Sequence, residues 1–260
     1  MRQDPRGRLT LAFVKASPEA QLRLLELADL DAELNRLGHR RRTLPELAEL
    51  SQLDERAAKV KDTITIADTN LADLDRELAR AEKDVEQVRV RIDRDNQRLD
   101  SGGVSNAREL ESLQSEVASL RRRQSDLEEV VLDLMERRET AQALRDGADG
   151  EATTVAADLA AVTARRDASL AEISEQEAKD TVTRAGVVVF VPADLLTLYD
   201  KVRAQSGGPG AAALRRGQCG GCREILSTAE LNAIRAAAPD EVIRHEECRR
   251  ILIRTPDSGL

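Results

Sequence analysis

Large aromatic rings are almost absent from this chain: no Trp, one Tyr and two Phe in 260 residues. That scarcity excludes a thick globular core, because rings supply much of the buried area in such cores. Cysteine and histidine are also scarce, three and two residues, with all the cysteines in the last 42 positions. An odd number so clustered is a poor disulfide framework and suits a metal site in a reducing compartment. Long apolar runs are missing as well. The longest, VVVFV at 187–191, falls far short of the ~20 residues that a bilayer-spanning helix needs. The opening MRQDPRGRLTLAF lacks the apolar centre of a signal peptide. The expectation is a cytoplasmic protein with no membrane span, in which residues 1–16 form a disordered tail.

What is present is charge and helix-forming residues. Charged side chains make up 34% of the chain, and the Ala, Leu, Glu and Arg richness suits long helices that bury only a narrow seam. The net charge of −8 is uneven: residues 1–183 carry 29 Lys+Arg against 39 Asp+Glu, whereas 184–260 carry 11 against 9. An acidic stem disfavours non-specific binding to nucleic acid along its length.

The strongest pattern is a repeat of seven. From Leu53, alternating steps of four and three reach Ala57, Val60, Ile64, Ala67, Leu71, Leu74, Leu78, Ala81, Val85, Val88, Ile92, Asp95 and Leu99, broken only at Asp95. Such spacing keeps one stripe facing a partner helix, as a left-handed coiled coil requires. Upstream, Ser17 before Pro18 reads as an N-cap with proline in the first helical position, and Pro45 should break this first helix near Thr43 and Leu44. The glycines of DSGGVSN, 100–106, supply a stop and a turn. Asn106 with Glu109 then reads as a capping box opening a second helix. Its seam is looser, because Gln124, Arg138, Arg145, Arg166 and Ser169 occupy core-phase positions. A short turn between long helices makes them antiparallel neighbours. The predicted fold is therefore mainly α: an antiparallel coiled-coil hairpin over 17–185 with its tip at 100–106, followed by a small α+β domain over 186–260.

In that last domain, VPADLLTLYDKVR (191–203) reads as a short helix and SGGPG (206–210) as a flexible linker. A capping box at Ser227 and Glu230 opens another helix. EVIRHEECRRILIR alternates as strand, knuckle, strand. Cys219, Cys222, His245 and Cys248 form CxxC, 22 intervening residues, then HxxC. Structural zinc takes four tetrahedral ligands of this kind, two from each of two turns. The competing reading makes His245 a solvated residue and Cys248 a small buried hydrophobe. Against it stands size: a segment under 50 residues with no large rings folds poorly without a staple, and zinc supplies one. Four ligands leave no open coordination position, so the zinc is expected to be structural and the protein no enzyme. Arg215, Arg216, Arg223, Arg249, Arg250 and Arg254 flank the knuckles as candidate phosphate or partner contacts. Interspersed Glu224, Glu246 and Glu247 weaken the phosphate reading, as does the lack of rings on which bases could stack.

Taken together, SGGVSNARELESLQSEV, VPADLLTLYDKVR, GAAALRRGQCGGCREIL and ECRRILIR resemble a bacterial family that joins a coiled-coil hairpin to a C-terminal C4-type zinc ribbon. The resemblance runs from Val14 onward, and a start at Val14 would look more like family members than Met1 does. It implies structural Zn²⁺ on Cys219, Cys222 and Cys248, with His245 standing where a third cysteine is usual. It also implies a binding role, with nucleic acid a predicted ligand and some members tied to transcription-factor partners and flagellar gene control. Arg249 departs from the family's pattern too, since glycine usually follows the last cysteine. Glycine tolerates φ > 0 there, and arginine should be strained by ~1 kcal/mol or more. Two functions are expected: a protein adaptor gripped at the ribbon or the hairpin, or a nucleic-acid-binding ribbon, in neither case with a small-molecule substrate.

Overall fold

The structure is a computed structural model that describes residues 14–102 and 106–260. Among the described residues no helix is long and apolar enough to cross a membrane. Its elements are α1 (Pro18–Arg42), α2 (Pro45–Asp100), α3 (Ala107–Val188), α4 (Ala193–Ser206), β1 (Ala211–Arg215), β2 (Gln218–Cys219), α5 (Thr228–Ala236), β3 (Ile243–Arg244) and β4 (Ile251–Ile253). They form a long helical hairpin followed by a small strand-containing part. The packing divides into one unit of residues up to Pro45 with Arg165–Leu260, and another of Glu46–Ala164. The boundary expected at 186 is therefore not where packing divides: α1, the end of α3, α4 and the sheet share one core.

In the Glu46–Ala164 unit the heptad reading holds residue by residue. Every seam position from Leu53 to Leu99 is buried or half-buried, and the residues between are almost all exposed. Ion pairs between α2 and α3 give the direction: Arg91 with Glu116, Asp75 with Arg138, Asp68 with Arg145 and Arg56 with Glu151. As one partner's number rises the other's falls, so the helices are antiparallel. The arginines expected to loosen the α3 seam do something more specific. Arg138 and Arg145 keep half-buried stems at core-phase positions while their guanidinium groups reach the α2 carboxylates, at 2.5 Å and 3.0 Å, as long basic side chains can. Asp95 interrupts the seam at 2% exposure, its Oδ2 without a hydrogen bond and its nearest cations Arg94 and Arg91 at 3.6 Å and 4.0 Å. At the tip, Ser101 and Gly102 form a turn with Gly102 at φ 69°, and Asn106 Oδ1 accepts from the Arg108 N–H. Gly103, Val104 and Ser105 lie outside the described residues.

In the other unit, Ser17 caps α1 through the Ala20 N–H, with Pro18 opening the helix, and α1 stops before Pro45 as its fixed φ dictates. A buried carboxylate ties three helices together. Asp31 on α1 is fully buried; it accepts from Tyr199 Oη on α4 at 2.6 Å and from Arg184 Nε on α3 at 2.8 Å. Arg203 Nη2 on α4 lies 3.1 Å away. Burial, and then the bond to Asp31, push the Tyr199 hydroxyl well above its ordinary range, so it stays a donor at all ordinary pH.

The four strands lie in the order β2-β1-β4-β3, with β1 and β4 parallel and the outer pairs antiparallel. Parallel strands buried on both faces carry continuous apolar runs, and AAAL and ILI are such runs. Ala211, Ile251 and Ile253 face the core with α1 and α4; Ala212, Leu214 and Leu252 face a second core with Cys219, Leu226 and Ile234. β1 escaped the sequence reading because alanine favours helix over strand.

Two expectations are corrected here. Residues 14–16 are not a disordered tail: Lys15 pairs with Glu241 in an isolated bridge and Ala16 N–H donates to Asp240 O, because the 239–241 segment offers free backbone partners. Residues 1–13 lie outside the described residues. Nor is 206–210 a flexible linker. Gly207 ends α4 at φ 62°, and Gly210 is buried so tightly that a Cβ there would meet Tyr199 O at 2.5 Å. α3 also runs to Val188, two residues past the break expected at Gly186.

Replacing Asp31 by Asn should destabilise the protein by about 2–4 kcal/mol in urea unfolding. This straddles the lower end of the roughly 3–5 kcal/mol cost of a broken buried pair, since both guanidinium groups reach solvent. Asp95→Leu should instead raise the unfolding free energy, by on the order of 1 kcal/mol or more, because it fills the seam and removes a buried oxygen that has no hydrogen bond.

Candidate metal centre

Two tight turns build the site. In the first, β1 pairs with β2 to place Cys219 in full burial, and Gln218 bridges to Ile225 to close the loop between them. In the second, β3 and β4 pair at Arg244 and Ile251, leaving His245 to Cys248 in the connection. The turns share one hydrogen-bond plan: the Arg223 N–H donates to Cys219 O at 2.8 Å, and the Arg249 N–H to His245 O at 3.0 Å. His245 thus stands at the second turn where Cys219 stands at the first. Each turn places an arginine directly after its second candidate ligand, Cys222 or Cys248, in the left-handed region, Arg223 at φ 66° and Arg249 at φ 61°. The strain expected at Arg249 is therefore present, and it has a twin at Arg223 that the repeated turn chemistry should have announced.

The glycines of CGGC are there for closeness. A Cβ on Gly220 would meet Ala213 O at 2.9 Å, and one on Gly221 would meet Arg250 Cδ at 2.7 Å. Only glycine lets the first turn lie against β1 and the base of the second.

Cys219, Cys222, His245 and Cys248 offer ligand atoms all within 4.8 Å of one another. The Cys219 and Cys248 sulfurs are 3.9 Å apart, and His245 Nδ1 lies 3.4 Å from Cys222 Sγ and 3.2 Å from Cys248 Sγ. A tetrahedral zinc ion with ordinary bond lengths would set S···S edges near ~3.8 Å and S···N edges near ~3.5 Å. The residues fit the ion. His245 is 3% exposed, with Nδ1 aimed at the sulfurs, so it would bind through that nitrogen in its neutral form. Burial pushes the Cys219 thiol up to about 11, although the backbone N–H groups of Cys222 and Gly221 donate to its sulfur. Burial opposes ionisation of Cys248 as well, yet the Arg250 N–H, the His245 ring and the Cys222 thiol hold it down at about 7. A zinc ion binding here displaces protons from the thiols, and three thiolates with a neutral imidazole leave a formal charge of −1.

The six arginines named as contact candidates separate into two groups. Arg250 donates through Nε to Pro209 O at 3.0 Å, and Arg254 donates to the carbonyls of Ala237, Ala238, Pro239 and Glu241. Both hold backbone, so neither guanidinium is an uncommitted phosphate donor. Arg215, Arg216, Arg223 and Arg249 are exposed, and among the described residues their side chains have no partner.

A family model described as a CT398-like coiled coil hairpin domain matches residues 27–207, and one for a C4-type zinc ribbon domain matches 218–252. The chain is 39% identical over 241 residues to the Mycobacterium tuberculosis protein Rv2229c, covering 93% of this chain and 98% of that one. It is 28% identical over 222 residues to ML1638 of Mycobacterium leprae, covering 85% and 94%. A solved Mycobacterium smegmatis structure superposes with a TM-score of 0.81 at 35% identity, over 92% of this chain and 100% of that one. CT398 from Chlamydia trachomatis gives 0.68 at 17% identity, over 91% and 98%, a likeness of fold.

Purified full-length protein should hold one zinc ion per chain by elemental analysis. His245→Ala should weaken zinc about a hundredfold or more, beyond the cost of losing an outer hydrogen-bond partner, and His245→Cys should retain it. Arg249→Gly should stabilise the zinc-loaded protein by ~0.5–1 kcal/mol, read as a higher thermal midpoint, as left-handed strain is relieved.

Proposed function

We propose, on the premise that this chain belongs to the family of CT398-like coiled-coil hairpins that end in a C4-type zinc ribbon, that it is a non-enzymatic adaptor. Its zinc-held ribbon is the head by which it grips a protein partner. The observation that carries the reading is the four-donor set: three sulfurs and one ring nitrogen lie within 4.8 Å of one another, so a zinc ion that took all four would organise the ribbon and keep no position for water or substrate. The free thiols favour a reducing, cytoplasmic setting. Partner binding is favoured over nucleic acid by the arginines: Arg250 and Arg254 are committed to backbone carbonyls.

A second reading, direct binding of nucleic acid, draws support from Arg215, Arg216, Arg223 and Arg249. Three of these, Arg216, Arg223 and Arg249, are held at positive φ, a strain that selection tolerates most readily where the side chain has a use.

A photo-crosslinking residue placed at exposed Ile225 of the ribbon, or at exposed Val130 of α3, in the full-length protein separates the readings. The adaptor predicts discrete protein adducts from Ile225 that vanish on chelation. Retarded RNA or DNA bands at ~50 mM salt, lost in the Arg215, Arg216, Arg223, Arg249 quadruple alanine variant, would favour nucleic acid instead.

A further inference from the structure

Beside the metal centre lies an open groove of about 700 Å³. Ile225 with Ala229 and Ala233 of α5 supplies its apolar lining, and Glu224, Glu246 and Glu247 stand with His245 in the rest. Ile225 is 78% exposed, whereas its neighbour Leu226 is 4% exposed. The alternation of an extended segment explains the contrast: the bridge from Gln218 and the bond from Leu226 N–H to Gly217 O hold this stretch flat, with Leu226 inward and Ile225 outward. The apolar side chain is therefore presented on a braced backbone.

The carboxylates and ammonium or guanidinium groups that line it are of one sign only. Glu230 also lines the groove, but its carboxylate is committed to the Ser227 capping box. Glu224, Glu246 and Glu247 have no side-chain partner among the described residues, and neither lysine nor arginine lines the groove. Residues 184–260 carry more basic than acidic side chains, 11 against 9, so composition does not account for an all-acidic rim. Like charges held together raise the local potential and select an opposite one.

We infer that this groove docks a basic segment of a partner protein. An aliphatic side chain of the segment packs on Ile225, Ala229 and Ala233, and lysine or arginine side chains flanking it meet Glu224, Glu246 and Glu247. This deepens the adaptor reading and rests on it. The apolar contact supplies the anchor and the carboxylates supply selection, since rim charges in water contribute more to choice of partner than to affinity.

The test uses zinc-loaded full-length protein and a fluorescent 12-residue synthetic peptide with leucine flanked by lysine and arginine, read by anisotropy at ~150 mM salt. The peptide should bind. Glu224→Lys with Glu247→Lys should weaken it about tenfold or more, and Ile225→Ser about fivefold or more. Glu129→Lys, on an exposed α3 position, should leave binding unchanged, and zinc content measured on each variant confirms that the ribbon is folded. A peptide with serine for leucine should bind at least about fivefold more weakly. Equal binding of the serine peptide, or indifference to the two charge reversals, would overturn the inference, as would the absence of binding. So would Glu247-dependent self-association in sedimentation, which would make a second copy the occupant. Should the peptide fail while chelation-sensitive adducts at Ile225 persist, the adaptor survives and the basic partner does not; loss of both removes the adaptor as well.

Discussion

A single carboxylate in full burial, Asp31, governs the half of the molecule that carries the metal centre. An ionised group out of water is tolerated only where donors replace its hydration, and here they come from α3 and α4 at once. The requirement works in both directions. Asp31 needs those donors, and the donors hold α3 and α4 at fixed places against α1. Because α4 leads through Gly207 into β1, with Gly210 pressed on the Tyr199 backbone, the position of α4 determines where the sheet begins. β1 then registers β4, and β4 carries the second metal-binding turn on its leading edge.

The Glu46–Ala164 unit works on a different principle. With almost no rings to bury, it relies on a narrow stripe of Leu, Val, Ile and Ala at 3.5-residue spacing, and the energy per residue is correspondingly modest. Register in such a seam needs help from outside it. Arginines at core phase answering carboxylates on the facing helix provide that help, since sliding one helix by a heptad would separate the pairs. Exposed pairs of this type add little stability singly; their use is to choose among alignments that the apolar stripe alone would leave close in energy.

How legible this was from sequence depends on how local the cause is. Helix starts at Ser17 and Ser227, the break at Pro45 and the heptad seam were readable because each rests on neighbours within a turn or two of helix. The ligand set was readable because zinc demands particular side chains at particular spacing. What escaped depends on distant partners. β1 looks helical in isolation, and only pairing with β4, forty residues later, makes AAAL a strand. SGGPG looks loose until Tyr199 is set against Gly210. Asp31 did leave a trace, an acid among Leu24, Leu27 and Leu34 on one helical face, much as Asp95 interrupts the later seam. The fates of Arg250 and Arg254 left none, since a clamp on backbone carbonyls has no signature distinct from that of a free basic side chain.

The bonds joining Lys15 and Ala16 to Asp240 and Glu241 span 225 residues. During synthesis the ribosome therefore emits one edge of this structure about 225 residues before its mate. At roughly 5–20 residues per second, the interval is about 10–45 s. For most of that wait, until α4 is made, the apolar side of α1 has neither the sheet nor α4 to cover it. The nascent protein is thus exposed to misassociation along α1, and cover arrives first with α4 and then with the sheet.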